Sequence, residues 1–325
     1  MTPEQADTAQ RILAHHAKSF ALAGKLLPAA YRRDAAALYA WCRRCDDAVD
    51  TPDDEATRST AVARLREELA AVYRGEPQSD AVLAAMQDVV RRHGIPRRYA
   101  EDLLAGMAMD VGTVRYRTMD ELLLYGYRAA GTVGLMMAHL MDVRDASVLR
   151  RAADLGIAMQ LTNICRDVVE DERRGRVYLP SALLDGNSGP THTPGRTAGA
   201  VAEVLRRADD FYRSGDSGLD RLPFRCAVAI RAARLIYAEI GRLIARRGFD
   251  VLSGRAVVPR GRKLRLLARA VSETLVKRLL PARRRAAPPF IPLWFQIPIV
   301  SEPDEEVTVV EGVNGVTTHR AQVSP

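Results

Sequence analysis

Apolar and polar positions along this chain recur with helical rather than strand periodicity. Apolar residues return every three or four positions over 4 to 18, 29 to 51, 55 to 74, 79 to 93, 97 to 111, 118 to 142, 146 to 174, 196 to 217, 223 to 248 and 261 to 282. The pattern therefore predicts an all-α chain of ten helices with almost no strand. Punctuation supports the boundaries. Pro28, Pro96 and Pro223 stand near predicted helix starts, where a missing N–H costs little. Gly94, Gly175 and Gly248 stand near predicted ends. Asp185 to Gly199 reads as a loop by composition, and its His192 lacks the partner spacing of a metal ligand. The helical pattern occupies residues 1 to 285, and a Pro-broken, then polar stretch from 286 to 325 reads as a disordered or loosely docked tail.

Composition agrees with helices: 47% of the residues are hydrophobic but only 6% aromatic, in a chain of 325 residues long enough to bury a large core. Cys42, Cys45, Cys165 and Cys226 all fall inside helical patterns. Cys42 and Cys45 lack the strand and turn context of a redox motif, so all four read as reduced core or wall residues. No stretch reads as a signal peptide, and no apolar run reaches the roughly 18 residues of a spanning helix, so a cytoplasmic protein is expected. The net charge of +8 admits nucleic acid, an anionic membrane or an anionic substrate as partner. Its excess lies late, between Arg255 and Arg285, with Glu273 the single acid. No helix-turn-helix or RNA-binding signature accompanies it, which argues against nucleic acid.

Chemistry is concentrated in two helical stripes. At about 100° per residue, Gln160, Asn163, Asp167 and Asp171 fall within roughly 80° of one another. A solvated face would favour Glu and Lys, whereas Asn and Asp are weak helix formers that need another reason to be there. Short carboxylates at i and i+4, with an amide one turn earlier, suit a hard oxygen-seeking cation that also holds phosphates. Tyr39, Arg43, Asp46 and Asp50 form a second stripe, with Asp47 beside it, at a helix C-terminus where the macrodipole disfavours carboxylates unless a cation compensates. Two such turns suggest facing walls of one site. Between them, Ala129, Ala130, Gly131 and Gly134 sit among large apolar residues and imply close helix packing or, less simply, a ligand wall. Met136 and Met137 read first as core.

These segments resemble the squalene and phytoene synthase family, the head-to-head isoprenyl synthases. The resemblance runs from Ala17 to about Leu267 and is most specific in "LGIAMQLTNICRDVVEDERRGRVYLP", Leu155 to Pro180. "DDAVD" from Asp46 resembles the first aspartate-rich motif, and "DLLAGMAMDV" the family's Gly-Met segment ending in Asp110. Around Tyr125 the chain departs from the family pattern in having Gly126 and Ala129, both small, which bears on chain length rather than reaction class. The resemblance implies a helical isoprenoid-synthase fold around a long apolar cavity, with the Asp motifs facing each other at its mouth. It implies that Asp46, Asp50, Asn163, Asp167 and Asp171 hold several Mg2+ (or Mn2+) ions, with Gln160 close by. Arg43, Tyr237 and Arg255 would contact diphosphate, and Tyr125 and Tyr178 would line the site near the reacting carbons. Gly175 would serve as hinge for a flap from Arg173 to Tyr178.

The implied reaction joins two isoprenyl diphosphates through a cyclopropyl diphosphate. Small residues at Gly24, one turn after Phe20 in the "SFALAG" segment that begins at Ser19, and at Ala36, one turn before Tyr39, lengthen the channel expected along these helices. They favour geranylgeranyl diphosphate and the forty-carbon product phytoene, formed without a nicotinamide cofactor. The alternative is farnesyl diphosphate, giving squalene or dehydrosqualene. A rival of another class, a non-catalytic helical membrane-adaptor or assembly protein, is disfavoured by the intact Asp motifs. Oily substrates imply peripheral contact with an anionic membrane, to which Phe290, Leu293, Trp294 and Phe295 could add, and carotenoid-pathway enzymes as possible partners.

Overall fold

The computed structural model describes residues 8–12, 18–51, 54–184 and 194–279. Residues 8–12 are helical, and eleven further helices follow: α1 Lys18–Gly24, α2 Ala29–Asp50, α3 Glu55–Arg74, α4 Ala81–His93, α5 Arg97–Ala108, α6 Met119–Gly126, α7 Thr132–Leu140, α8 Ala146–Arg173, α9 Pro194–Asp216, α10 Phe224–Arg246 and α11 Arg260–Leu279. The only described strands are β1 Val114–Arg115 and β2 Arg176–Val177, a short parallel bridge. The predicted punctuation is where the helices begin and end. Pro28, Pro96 and Pro223 are N-caps, and Gly94, Gly175 and Gly248 adopt left-handed φ of 55°, 76° and 66° after α4, α8 and α10. Asp54, Asp80, Thr118 and Asp145 accept hydrogen bonds from the first-turn N–H groups of α3, α4, α6 and α8.

Three boundaries differ from the sequence pattern. Lys18–Gly24 is a helix of its own, where the pattern ended one at 18. Helix α5 ends at Ala108, three residues early, which turns Asp110 out of the helical repeat. The helix expected over 118 to 142 is interrupted by a π turn at Tyr127–Gly131. The tail from 286, with its four large apolar residues, and His192 in its loop lie outside the described residues.

Helix α8 runs through the middle of the molecule, packed against α7, α9, α10 and the π turn. Its approach to the preceding helix is unusually close. A Cβ on Gly134 would lie 2.3 Å from the Ala152 carbonyl oxygen, and one on Gly156 would lie 2.2 Å from that of Ala130. Only glycine permits those backbones to meet, so the packing explanation for the small residues holds. Two buried ionic links tie the periphery together. Asp34 accepts hydrogen bonds from Arg92 and contacts His93 Nε2 at 2.8 Å, joining α2 to α4. Glu239, 1% exposed at its side chain, pairs with Arg262 of α11 as well as Arg242 and Arg246 of its own helix.

Candidate functional site

Helices α1, α2, α5, α7, α8 and α10 and the π turn line one mostly apolar cavity of about 310 Å3. One end carries polar groups: Asp46 from α2 faces Gln160 and Asn163 from α8. The walls beyond are Leu38, Tyr39, Val133, Met137, Leu155 and Met159, and the far end reaches Gly24, Leu27, Arg32 and Val148. Asp46 and Arg32 are fourteen residues apart on one helix, so the cavity follows α2 for about 21 Å. Met136 is core, as expected, but Met137 borders the cavity. Ala130 and Gly134 border it too, so the same small residues serve both packing and wall.

Ala36 does not line the cavity. It is fully buried elsewhere, and Ala35 takes its place in the wall. The reason is angular: Ala35 leads Tyr39 by four residues, about 40° away around the helix, whereas Ala36 lies about 60° off on the other side of that stripe. Gly24 is on the wall with nothing within 4 Å of an added Cβ. Ser19 and Phe20 belong to α1, but their side chains lie outside the described residues.

At the polar end the carboxylates are held by arginines. Asp167 pairs with Arg166 of its own helix and, at 2.8 Å, with Arg255 from the loop before α11. Asp50 receives Arg176 at 2.7 Å and Arg174 at 3.4 Å from the segment after α8, so the two Asp turns are bridged by that segment. Arg43 turns to Asp47. Tyr237 is buried, hydrogen-bonded to Arg166, and burial raises its hydroxyl to about 12; burial does the same for Tyr39. Asp46 is pushed up to about 7, by burial and then by Asp50, and Asp171 likewise to about 7, by burial and then by Asp167. The side-chain oxygen of Asn163 is buried and accepts no hydrogen bond among the described residues, while its Nδ2 reaches Gln160 at 3.4 Å. Among the described residues no three acidic, His or Cys side chains converge tightly enough to form a ready cation site.

Behind the carboxylates, Tyr125 and Tyr178 each donate a hydrogen bond of 2.8 Å to one oxygen of Asp110, with their own hydroxyls 3.3 Å apart. Their rings stack at 5.0 Å, and Tyr116 lies 5.5 Å from Tyr125. Burial raises the Asp110 carboxyl, partly offset by the two hydroxyls, and burial followed by the Asp110 charge raises both tyrosines. Left-handed Gly175 follows α8; in the Arg173 to Tyr178 segment expected as a flap, Arg173 to Gly175 are exposed, whereas Val177 pairs with Arg115, and Arg176 and Tyr178 are buried. Sequence gives no separate signal for Arg176 or Tyr116, and by its spacing Arg166 fits a solvated face, whereas the structure turns it inward to Asp167 and Tyr237. All three carry a charge or hydroxyl beside a motif residue, but only folding shows which way each turns. All four cysteines are free, and Cys42 borders the cavity.

A profile of squalene/phytoene synthases matches residues 13–262. The chain belongs to that family. Among its relatives, a phytoene synthase from Pseudescherichia vulneris is 41% identical over 289 residues, covering 84% of this chain and 93% of the relative. A 15-cis-phytoene synthase from Enterobacter agglomerans is 40% identical, covering 85% and 97%. In fold, a dehydrosqualene synthase solved with a bound ligand superposes with a TM-score of 0.75 at 26% identity, over 83% of this chain and 96% of that one. Squalene/phytoene synthase membership makes this helical architecture an isoprenoid-synthase fold and the chain an enzyme of the prenyltransferase class, as its motifs led one to expect.

Proposed function

We propose that the enzyme is a phytoene synthase, condensing two molecules of geranylgeranyl diphosphate head to head into a cyclopropyl diphosphate and rearranging that intermediate to phytoene without a nicotinamide cofactor. The observation that carries this reading is the cavity: a mostly apolar chamber with Asp46, Gln160 and Asn163 on its lining, beside which Asp50 and Asp167 meet Arg176 and Arg255. An extended chain reaches roughly 1.2 Å per bond, so a twenty-carbon tail spans about 18 Å and a fifteen-carbon tail about 13 Å. A chamber of about 21 Å along α2 suits the longer tail. The phytoene synthase relatives point the same way.

The polar end is short of positive charge where it would meet a diphosphate. Asp46 and Asp171 are raised by burial and by neighbouring carboxylates, and the Asn163 oxygen accepts nothing among the described residues. An all-oxygen donor set of this kind fits a hard divalent cation. Asp46, Asp50, Asn163, Asp167 and Asp171 would hold Mg2+ or Mn2+, which would supply positive charge against the departing diphosphate. Arg255 and Arg176 would give up Asp167 and Asp50 in that state and turn to the diphosphate oxygens, with Arg43, Gln160 and Tyr237 alongside. Apolar walls exclude water from the carbocation. Tyr125 and Tyr178 keep their protons against Asp110, so they orient and shield rather than act as bases, and a released diphosphate oxygen takes the final proton.

The enzyme would work beside a bilayer that receives its oily product. Among the described residues no helix is long and apolar enough to cross one. The purified protein incubated with geranylgeranyl diphosphate and Mg2+, without nicotinamide, should release phytoene. Release of squalene or dehydrosqualene from farnesyl diphosphate, with geranylgeranyl diphosphate untouched, would give the thirty-carbon reading instead, and a protein inert to both would be an adaptor.

A further inference from the structure

Helix α11 is amphipathic twice over. Its buried face, Leu266, Ala270 and Thr274, packs on α10. About 140° away, Leu264, Val271, Leu275 and Leu279 form a second apolar stripe within roughly 80° of arc, and this one points outward. These four are 61%, 42%, 47% and 69% exposed. A contiguous outward stripe of this kind marks a contact surface rather than ordinary scattered exposure. Nothing among the described residues covers it.

Charge indicates what does. The helix carries seven Lys and Arg against one acid, Glu273. On the helical projection Arg265 and Arg269 flank one side of the stripe and Arg260 borders the other near its N-terminal end, while Arg278 at the C-terminal end is turned to the Leu222 carbonyl. Arg260 and Arg265 pair with no carboxylate among the described residues, while Arg269 is answered by Glu273. An apolar stripe framed by cations is the pattern of a helix lying in the interface of an anionic bilayer, its long basic side chains reaching up to the headgroups. A second protein would require acidic partners around an apolar core, and a second copy of this face would set like charges against each other.

The placement connects this surface to the cavity. At the N-terminal end of α11, the preceding loop sends Arg255 to Asp167 at the polar end. At the C-terminal end, Arg278 donates to the Leu222 carbonyl at 2.5 Å, and Leu222 borders the cavity two residues before Phe224, itself 40% exposed. The helix is thus tied at its N-terminal side to the polar end and at its C-terminal end to a residue of the cavity wall. We infer that the outer face of α11, from Leu264 to Leu279 with its flanking arginines, seats the enzyme on an anionic lipid surface with the prenyl cavity alongside it. This rests on the prenyl-transfer reading only for its purpose, since lipid binding itself is measured without substrate.

The test uses the full chain and vesicles of phosphatidylcholine with or without phosphatidylglycerol, without prenyl diphosphate. The unsubstituted protein should float with the anionic vesicles, lose them in high salt, and ignore pure phosphatidylcholine. The double variant Leu264→Glu and Leu275→Glu should bind anionic vesicles at least tenfold more weakly, while circular dichroism and turnover of detergent-dispersed substrate stay unchanged. Arg260→Gln with Arg265→Gln should weaken binding and flatten its salt dependence while leaving the stripe intact. Undiminished flotation of the Leu variant would overturn the assignment. So would a change in its oligomeric state, which would mean the stripe joins two copies, or binding that disappears only when residues 280–325 are removed. Failure of prenyl transfer with intact, α11-dependent flotation would sink the proposed reaction and leave this surface standing.

Discussion

Asp46 and Asp167 occupy different helices at the polar end. Burial and then Asp50 push Asp46 up to about 7, while Asp167 is held by Arg166 and Arg255. On the proposed function both would hold the cations that offset the diphosphate charge. Asp46→Asn or Asp167→Asn should therefore lower kcat by about 10²–10³-fold or more, because the lost charge acts where leaving-group charge develops. The fold should persist in both, since neither residue belongs to the fully buried polar core. Steady-state kinetics with circular dichroism checks this, and full activity in either variant would remove the assignment. At Gly24 an added side chain meets open cavity rather than protein. Gly24→Phe should shorten the chamber and shift the ratio of kcat/KM toward farnesyl diphosphate by about tenfold or more. Unchanged selectivity in a folded variant would count against the chain-length argument. Both aspartate stripes were legible as sequence because a 3.6-residue repeat fixes which side chains share a face. The choice between Ala35 and Ala36 was not, because spacing identifies a stripe but leaves its edge uncertain by one position.

At the scale of elements, the junction of α8 with α7 and the π turn depends on glycines that no other residue can replace without separating the backbones. Gly134→Ala or Gly156→Ala should cost about 1–3 kcal/mol, since each Cβ would sit against backbone that cannot rotate away. Gly24→Ala is the control, expected to be neutral or slightly stabilising in the same denaturant titration. The π turn at Tyr127–Gly131 explains why the stretch from 118 to 142 read as one helix. A single wider turn slips the hydrogen bonding by one residue without adding a proline or a cap, so the apolar pattern gives no warning. That slip lies next to Tyr125, and Ala129 and Ala130 within it face the cavity. The caps were legible for the opposite reason, as proline and left-handed glycine act through their own backbones.

Across the whole molecule, buried ion pairs fasten the outer helices to α2 and α10, and the Asp34 pair should contribute to the acid limit of stability. Burial works to raise the Asp34 carboxyl, but hydrogen bonds from His93 and Arg92 overcome it and leave it below its ordinary 3.8. A carboxyl lowered on folding contributes its full stabilisation above the unfolded value and loses it as pH falls through the folded one. Stability should thus drop below about pH 4. Asp34→Asn should cost about 2 kcal/mol near neutrality and flatten that acid decline, as followed by chemical unfolding at a series of pH values. An unchanged acid limb in the variant would show that other carboxyls govern it.

The sequence by itself determined the helical class, nearly every helix boundary and the residues worth testing, because periodicity, caps and motif spacing are local properties. Tertiary structure decided what those residues face. Asp110 is drawn between Tyr125 and Tyr178, and Arg176 reaches Asp50 across 126 positions of chain. The outward apolar stripe of α11 becomes visible only once its other face is seen against α10. Each of these is a relation between segments far apart in the chain, fixed by how the helices pack and by which buried charges must find a partner.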